Sequence, residues 1–427
     1  MLGRRALGIG RALVTVVALC LAALRTGVSF CQSTSASTSP PSPALNVNAH
    51  VDFLDATARE PMIVEHLDGT LFVSGYTRMP QAVPRLWKSS DRGATWSAVN
   101  VGTETDGALG NSDVDLAVAR DGTLFFVTLG VDRKAHVGTH VAIGVSRDVG
   151  RTWRWTMLSK QPFCDRPWVA VAPDGTAHVI WSEGSGVYYT RSRDMGATWS
   201  PAEKIHPDGG SSHLAVGPKG ELAVRIIPLS AGGSKFTEGA DSLLVSTDAG
   251  TTWQKRPLPG QRIWAPADGT IPRWVEPLTW DAKGDLYLLW TQVTGVWLAR
   301  STDQGVSWTS WRVVEAEGDT LSYYPYLTAR GAAELAATWF SGAGKNLTWQ
   351  VCKIQVGDRL QITKSKQLSS DSWDAIPDGA PVRSTAGEYL PVMFLRDGDI
   401  AVASPIQNEE MKRFGFSFWR FNELSSR

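Results

Sequence analysis

Short apolar runs separated by turns recur along most of this chain, and past the first thirty residues few stretches favour a helix. Seven turns end in glycine after a charged residue: Asp68-Gly69, Asp121-Gly122, Asp174-Gly175, Lys219-Gly220, Lys283-Gly284, Arg330-Gly331 and Asp397-Gly398. The runs that follow them, such as Thr70 to Ser74, Ala177 to Trp181 and Asp285 to Trp290, alternate or stay apolar and read as strands. A third strand comes next, as in Val141 to Val145, Val187 to Thr190 and Val296 to Ala299.

That third strand leads into a second signal, Ser-x-Asp-x-Gly-x-Thr/Ser-Trp. It occurs at Ser89 to Trp96, Ser146 to Trp153, Ser192 to Trp199, Ser246 to Trp253 and Ser301 to Trp308. A period of about fifty residues means repeated supersecondary units. The Asp can accept hydrogen bonds from the N–H groups just after it, the Gly supplies φ > 0, and the Trp packs back under the turn. The pattern therefore folds a hairpin and places nothing for chemistry. A fourth strand leaves each copy. Two later units lack the signal but keep the rhythm, in Glu334 to Phe340, Trp349 to Val356 and Leu360 to Ser365, then Asp399 to Ala403 and Phe414 to Phe421.

Four antiparallel strands repeated radially make a β-propeller blade, so the fold class expected is all-β. Seven blades are expected, or six if the last two units merge. The segment Asn46 to Phe53 alternates apolar residues and is expected to complete the last blade and close the ring, which removes exposed edges.

Composition agrees with strands and tight turns: 41 Gly, 23 Pro and 19 Trp in 427 residues. Residues 1–31 read as an export signal, with Arg4, Arg5 and Arg11 before an apolar run from Ala12 to Leu24 that is too short for a comfortable membrane span. Residues 32–45 form a Ser/Thr/Pro-rich tether, and 46–427 a single propeller domain. The expected location is periplasmic or extracellular. Cys31 is a weak candidate for lipidation because the bulky Phe30 precedes it. Four arginines leave with the leader, so the mature chain is mildly acidic and carries no basic stripe for nucleic acid. No transmembrane segment is expected in the mature chain. A disulfide between Cys164 and Cys352 is not expected, because they belong to separate units.

Chain direction sorts the loops into two faces. The glycine turns and the Trp repeats fall on one, and the starts of the first strands converge on the other, at a central mouth. Those starts carry Arg59 and Glu60, Asp113 and Asp115, Asp165 and Arg166, His213, Arg273 and Glu276, Tyr323 and Tyr324, and Glu388 and Tyr389. Such a ring suits a polar or acidic ligand, and equally suits groups that only cap backbone or pair with one another. No metal-ligand spacing, P-loop or Gly-x-Ser-x-Gly is present, and no cofactor is expected.

The Ser-x-Asp-x-Gly-x-Thr-Trp copies resemble the Asp-box, or bacterial neuraminidase repeat, and with the strand rhythm the chain is similar to the sialidase superfamily over residues 46–421. The resemblance implies an arginine triad for a substrate carboxylate, a tyrosine nucleophile paired with a glutamate, and an acid/base aspartate. Ala58-Arg59-Glu60-Pro61 keeps the Arg and Pro of the family's Phe/Tyr-Arg-Ile-Pro, loses the aromatic residue and adds an acid. Residues 76–90, where the acid/base would lie, contain no Asp. Glu276-Pro277 matches a glutamate position, Arg225 is an arginine of the expected kind, and Tyr324 or Tyr389, the latter beside Glu388, holds the nucleophile position. The expected substrate-binding set is Arg59, Glu60, Asp115, Asp165, Arg166, His213, Arg225 and Arg273, with catalytic candidates Tyr324, Tyr389, Glu388 and Glu276. The function expected is an exported sialidase-like propeller acting on glycans, an exo-glycosidase if catalytic. The alternative is a non-catalytic propeller that binds a glycan or protein partner.

Overall fold

All seven charged-residue turns close with their glycine in the left-handed region, φ running from +58° at Gly331 to +99° at Gly398. They do so in a computed structural model that describes residues 44–53, 59–77, 83–231, 236–265, 277–292, 295–315, 321–343, 346–369, 389–408 and 413–423. The leader lies outside the described residues, as does the tether up to residue 43. Among the described residues one 3-10 turn, Glu104–Asp106, interrupts an otherwise all-β arrangement of antiparallel sheets in the manner of a propeller.

The first unit is Arg59–Glu65, Leu71–Tyr76, Arg85–Ser89 and Ser97–Ala98, each strand pairing antiparallel with the next. Units two, three and five repeat this order, starting at Val114, Asp165 and Leu278. Unit four breaks its first strand into Gly210–Ser211 and Ala215–Val216, giving a five-stranded sheet. Five sheets therefore stand separately, not the expected seven or six. Gly239–Ala240 and Ile263–Trp264 pair as a small two-stranded sheet, and the other strands form one nine-stranded sheet, because Ala44 and Leu45 bridge in parallel to Lys364 and Ser365 and so weld the last two units together. From Leu45 to Phe53 the same strand pairs antiparallel with Phe416–Glu423 in the final unit.

Second strands are the most deeply covered elements. Every residue of Leu71–Tyr76 and Leu222–Ile227 is buried. Separate apolar clusters lie between neighbouring units: Phe72 with Phe126 between units one and two, Val127 with Trp181 between two and three, Leu243 with Trp290 between four and five, and Leu289 with Trp339 between five and six. The stabilising burial is thus mostly between units, and each sheet depends on its neighbours for a core.

The five repeats fold alike. In every copy the Ser Oγ donates to the Asp carboxylate at 2.7–2.9 Å and accepts the Gly N–H at 2.7–2.9 Å. The same carboxylate accepts the N–H of Thr95, Thr152, Thr198, Thr252 or Ser307. Left-handed backbone is needed at the residue before the glycine as well, at Arg92, Val149, Met195, Ala249 and Gln304. For the β-branched Val149, at φ +60°, this is a strained conformation that the repeat imposes. The glycines also seat each repeat on the preceding unit: a Cβ on Gly93 would meet the Phe418 ring at 2.0 Å, and one on Gly250 the Tyr189 hydroxyl at 2.0 Å.

Candidate functional site

Three of the first strands begin with the same irregularity. In Arg59-Glu60-Pro61-Met62, Asp165-Arg166-Pro167-Trp168 and Tyr323-Tyr324-Pro325-Tyr326, the pairing register slips between the first and fourth residues. The second residue of each holds left-handed backbone, φ +49° at Glu60, +50° at Arg166 and +47° at Tyr324. Non-glycine residues in this region are strained, and proline after them removes the N–H that would otherwise enter the ladder. Bulges of this kind re-aim side chains. Here they do so at the mouth end of three different units.

The fourth residue of two of these quartets carries an aromatic ring into the centre. The Trp168 ring lies 3.8 Å from that of His213, centroid to centroid, and 5.5 Å from that of Tyr389. Tyr326 lies 5.3 Å from His213 and 6.3 Å from Tyr389, and its hydroxyl is 3.3 Å from His213 Nε2. Tyr389 closes the group: its hydroxyl donates to Asp113 Oδ2 at 3.4 Å, linking the last unit to the second. Leu390 behind it is anchored by its carbonyl, which accepts the Thr338 hydroxyl at 2.7 Å.

Burial dominates the electrostatics of this group. It pushes the Tyr389 phenol well above its usual value, with Asp113, Glu60 and Tyr326 adding to the rise and Arg166 opposing it. Burial also brings the His213 imidazole down to about 3, helped by Arg166. Both side chains are therefore neutral near pH 7, a phenol able to donate and an imidazole uncharged. Groups from units one, two, three, four, six and seven act on one another here, across 329 residues of sequence from Glu60 to Tyr389.

The remaining expected residues fall into distinct places. Arg166 is buried, with Asp165 beside it at 3.6 Å, and both belong to the central group's third-unit wall. Arg59 is buried opposite Tyr76 in the register of unit one. Tyr324 is buried in the same apolar cluster as Tyr389. Asp115, two residues past Asp113, is committed to backbone: it accepts the N–H of Leu116 at 2.8 Å and of Val169, in the next unit, at 3.0 Å. Burial raises its pKa to about 7 against those two hydrogen bonds. The Arg225 guanidinium is paired with the fully buried Asp241, which also accepts the indole N–H of Trp264. Glu276, Arg273 and Glu388 lie outside the described residues.

Trp168 and Tyr326 were not singled out by reading the strand starts for charge. The signal that finds them is the recurring proline, since in both cases the ring stands immediately after it. Asp113, not Asp115, supplies the second unit's carboxylate to the centre.

Among the described residues no group of three or more His, Cys, Asp or Glu is arranged to hold a metal ion. No described helix is long and apolar enough to cross a membrane. Cys164 and Cys352 are both free and buried. Two surface cavities, of about 380 Å³ beside Trp153 and about 360 Å³ beside Trp308, lie at the repeats and not at the mouth.

No family model matches the sequence, and no curated protein matches it. Solved structures do. An ulvan lyase, described as representing a new family of polysaccharide lyase, superposes with a TM-score of 0.55 at 12% identity when bound to -[GlcA(1-4)Rha3S]-, covering 86% of this chain and 95% of its own. An alpha-L-arabinanase from Penicillium chrysogenum has a TM-score of 0.45 at 13% identity, over 88% of this chain and 98% of that one. The NanB sialidase from Streptococcus pneumoniae has a TM-score of 0.43 at 12% identity, over 88% of this chain and 69% of that one. At 12% identity the likeness to the ulvan lyase is one of fold alone.

Proposed function

We propose that this chain is an exported propeller of sialidase type that binds an acidic glycan at its central mouth and cleaves it, with Tyr389 as the reacting phenol. In this reading the nine-stranded sheet counts as two blades, which makes seven in all, and the repeats are Asp-boxes. The observation that carries the proposal is the hydrogen bond from the Tyr389 hydroxyl to Asp113, made across two units inside a group that also includes Glu60, Arg166, His213 and Tyr326.

The phenol is a poor nucleophile while protonated, and its burial keeps it so until substrate arrives. As its oxygen bonds to the anomeric carbon, its proton passes to the Asp113 carboxylate. The glycosidic C–O bond breaks, and the leaving oxygen takes a proton from the Glu60 carboxyl, which serves in place of the aspartate that residues 76–90 lack. Glu60 then removes a proton from the water that releases the sugar, and Asp113 returns its proton to the phenol. Arg166, with Arg59 on the neighbouring wall, holds the acidic group of the substrate. Tyr389 is preferred over Tyr324 because a carboxylate from another unit reaches its hydroxyl. Arg225 supports the wall through Asp241.

The test is turnover of a fluorogenic sialoside and of a panel of uronides and uronate polysaccharides, the latter also followed by the ultraviolet absorbance of unsaturated products. Tyr389→Phe is expected to lower turnover by at least about a hundredfold, and Tyr324→Phe to leave it within a few-fold. Equal activity of Tyr389→Phe and the parent overturns the assignment. A second reading, a propeller that binds without cleaving, is favoured by the absence of any Asp in residues 76–90; retained glycan binding with no turnover across the panel would establish it.

A further inference from the structure

The second unit carries an unusual tip on the mouth side. Its second and third strands, Leu124–Asp132 and Val137–Ser146, are joined by Arg133-Lys134-Ala135-His136, and His140 and Lys160 stand close behind. The corresponding tip of unit three, Glu183-Gly184-Ser185-Gly186, has an acid and no cation. Chain direction puts the end of each second strand, the start of each third and the end of each fourth on the same face as the first-strand starts. Arg133, Lys134, His136 and Lys160 all occupy such positions.

This tip is held rigid. Asp132 accepts the N–H groups of Lys134 at 2.8 Å and Ala135 at 3.1 Å, so the one acid in the tip is engaged in closing the turn. Asn111 grips the hairpin at Val131 through both of its amide atoms, at 3.0 and 2.8 Å. Gly130 lets the His140 ring lie across the partner strand, for a Cβ there would meet it at 1.8 Å. Lys134, His136 and Lys160 are exposed.

Arg133 connects the tip to the centre. Its guanidinium lies 5.8 Å from the centroid of the Tyr76 ring, in unit one, and donates to the Asn111 carbonyl. Asn111 is two residues before Asp113, the carboxylate that meets Tyr389. Tyr76 in turn stands opposite Arg59. A guanidinium already fixed by a ring and a carbonyl loses little freedom when an anion arrives, and its planar fork matches carboxylate and sulfate oxygens.

We propose that the tip at residues 132–140, with Lys160, is a subsite for a second negatively charged sugar, so that the ligand of this mouth is a polyanionic glycan carrying uronate or sulfate on more than one residue. The inference rests on the reading of the mouth as a glycan site and extends it outward by one sugar. Arg133 grips the charged group, while the exposed Lys134, His136 and Lys160 line the approach.

Calorimetric titration of the full chain with a glucuronate-containing tetrasaccharide, its sulfated counterpart and its carboxyl-reduced neutral counterpart provides the test. A charged tetrasaccharide is expected to bind at least about tenfold more tightly than the neutral one, with the preference shrinking as salt is raised. Arg133→Ala is expected to remove most of that preference, Arg133→Lys to retain part of it, and Lys134→Ala to reduce it. Lys134 is exposed on the turn, so its variant carries the test should Arg133→Ala fail to fold. Which of the carboxylate and sulfate arms binds more tightly identifies the preferred anion. Equal binding of charged and neutral sugars, no binding of either, or a preference that survives both alanine variants overturns the subsite. Loss of the reaction assignment is a separate result: Tyr389→Phe would then turn substrate over normally while the charge preference remained.

Discussion

The aspartates of the repeats and the buried groups of the mouth have their ionisation set by opposite causes. On the repeat face, Asp91, Asp194 and Asp303 are held down to about 2, first by the hydroxyl of Thr95, Thr198 or Ser307 and then by the backbone N–H of the same residue. For Asp148 and Asp248 burial pulls upward, and the hydrogen bonds from Thr152 and Thr252 outweigh it, again giving about 2. On the mouth face burial wins. Asp115 rises to about 7, Tyr389 rises well above its usual value and His213 falls to about 3. Hydrogen bonds keep the repeat aspartates charged, while burial favours the neutral forms of Asp115, Tyr389 and His213.

The comparison breaks most readily at the repeats. Gly250→Ala forces a side chain into left-handed backbone and against the Tyr189 hydroxyl, and it is expected to cost about 3 kcal/mol or more in denaturant unfolding. Gly69→Ala, at φ +85° with nothing within 4 Å of its Cβ, is expected to cost only about 1 kcal/mol. Equal losses would show that the seating of each repeat on its neighbour contributes nothing. Next in size is Ser246→Ala, which strands the buried Gly250 N–H and should cost about 1–2 kcal/mol.

Titration sharpens the contrast further. The repeat aspartates have folded pKa values below the unfolded one, so their stabilisation is complete above about pH 4 and is lost as the pH falls towards about 2. Asp115 runs the other way. Between about pH 4 and 7 the native state holds the proton that the unfolded chain releases, so its contribution makes the protein less stable as pH rises. Melting curves of Asp115→Asn across this window should lose that slope, whereas an unchanged slope would place its origin elsewhere. The smallest effect expected is that of Thr198→Val, a slight upward shift of the acid limb of unfolding.

The fold was largely legible because its signals are local. A charged residue before glycine forces a turn, and alternation on either side shows the strands, so every such turn appears where it was expected. The blade count was less legible, since two residues of an N-terminal strand bridging to Lys364 and Ser365 leave no trace in the local pattern. At the mouth, the polar character of the strand starts was visible, but not the partner of each group. Asp113 and Asp115 look equivalent in sequence, yet one reaches Tyr389 and the other a backbone N–H of the next unit. Arg225 looked like an anion ligand because Asp241, its partner, lies beyond the intervening loop. Trp168 and Tyr326 carry no charge that would mark them at the strand starts, yet the bulges bring their rings to the centre.

The strand Ala44–Phe53 borrows its place from a sheet whose other members come from the opposite end of the sequence. Its partners, Phe416 to Glu423, are synthesised after all the intervening units, so the first described segment must wait, unpaired, while those units are made. Assembly therefore finishes with the pairing of greatest sequence separation among the described residues, which predisposes this chain to a slow final folding phase and to exchange of that strand between copies.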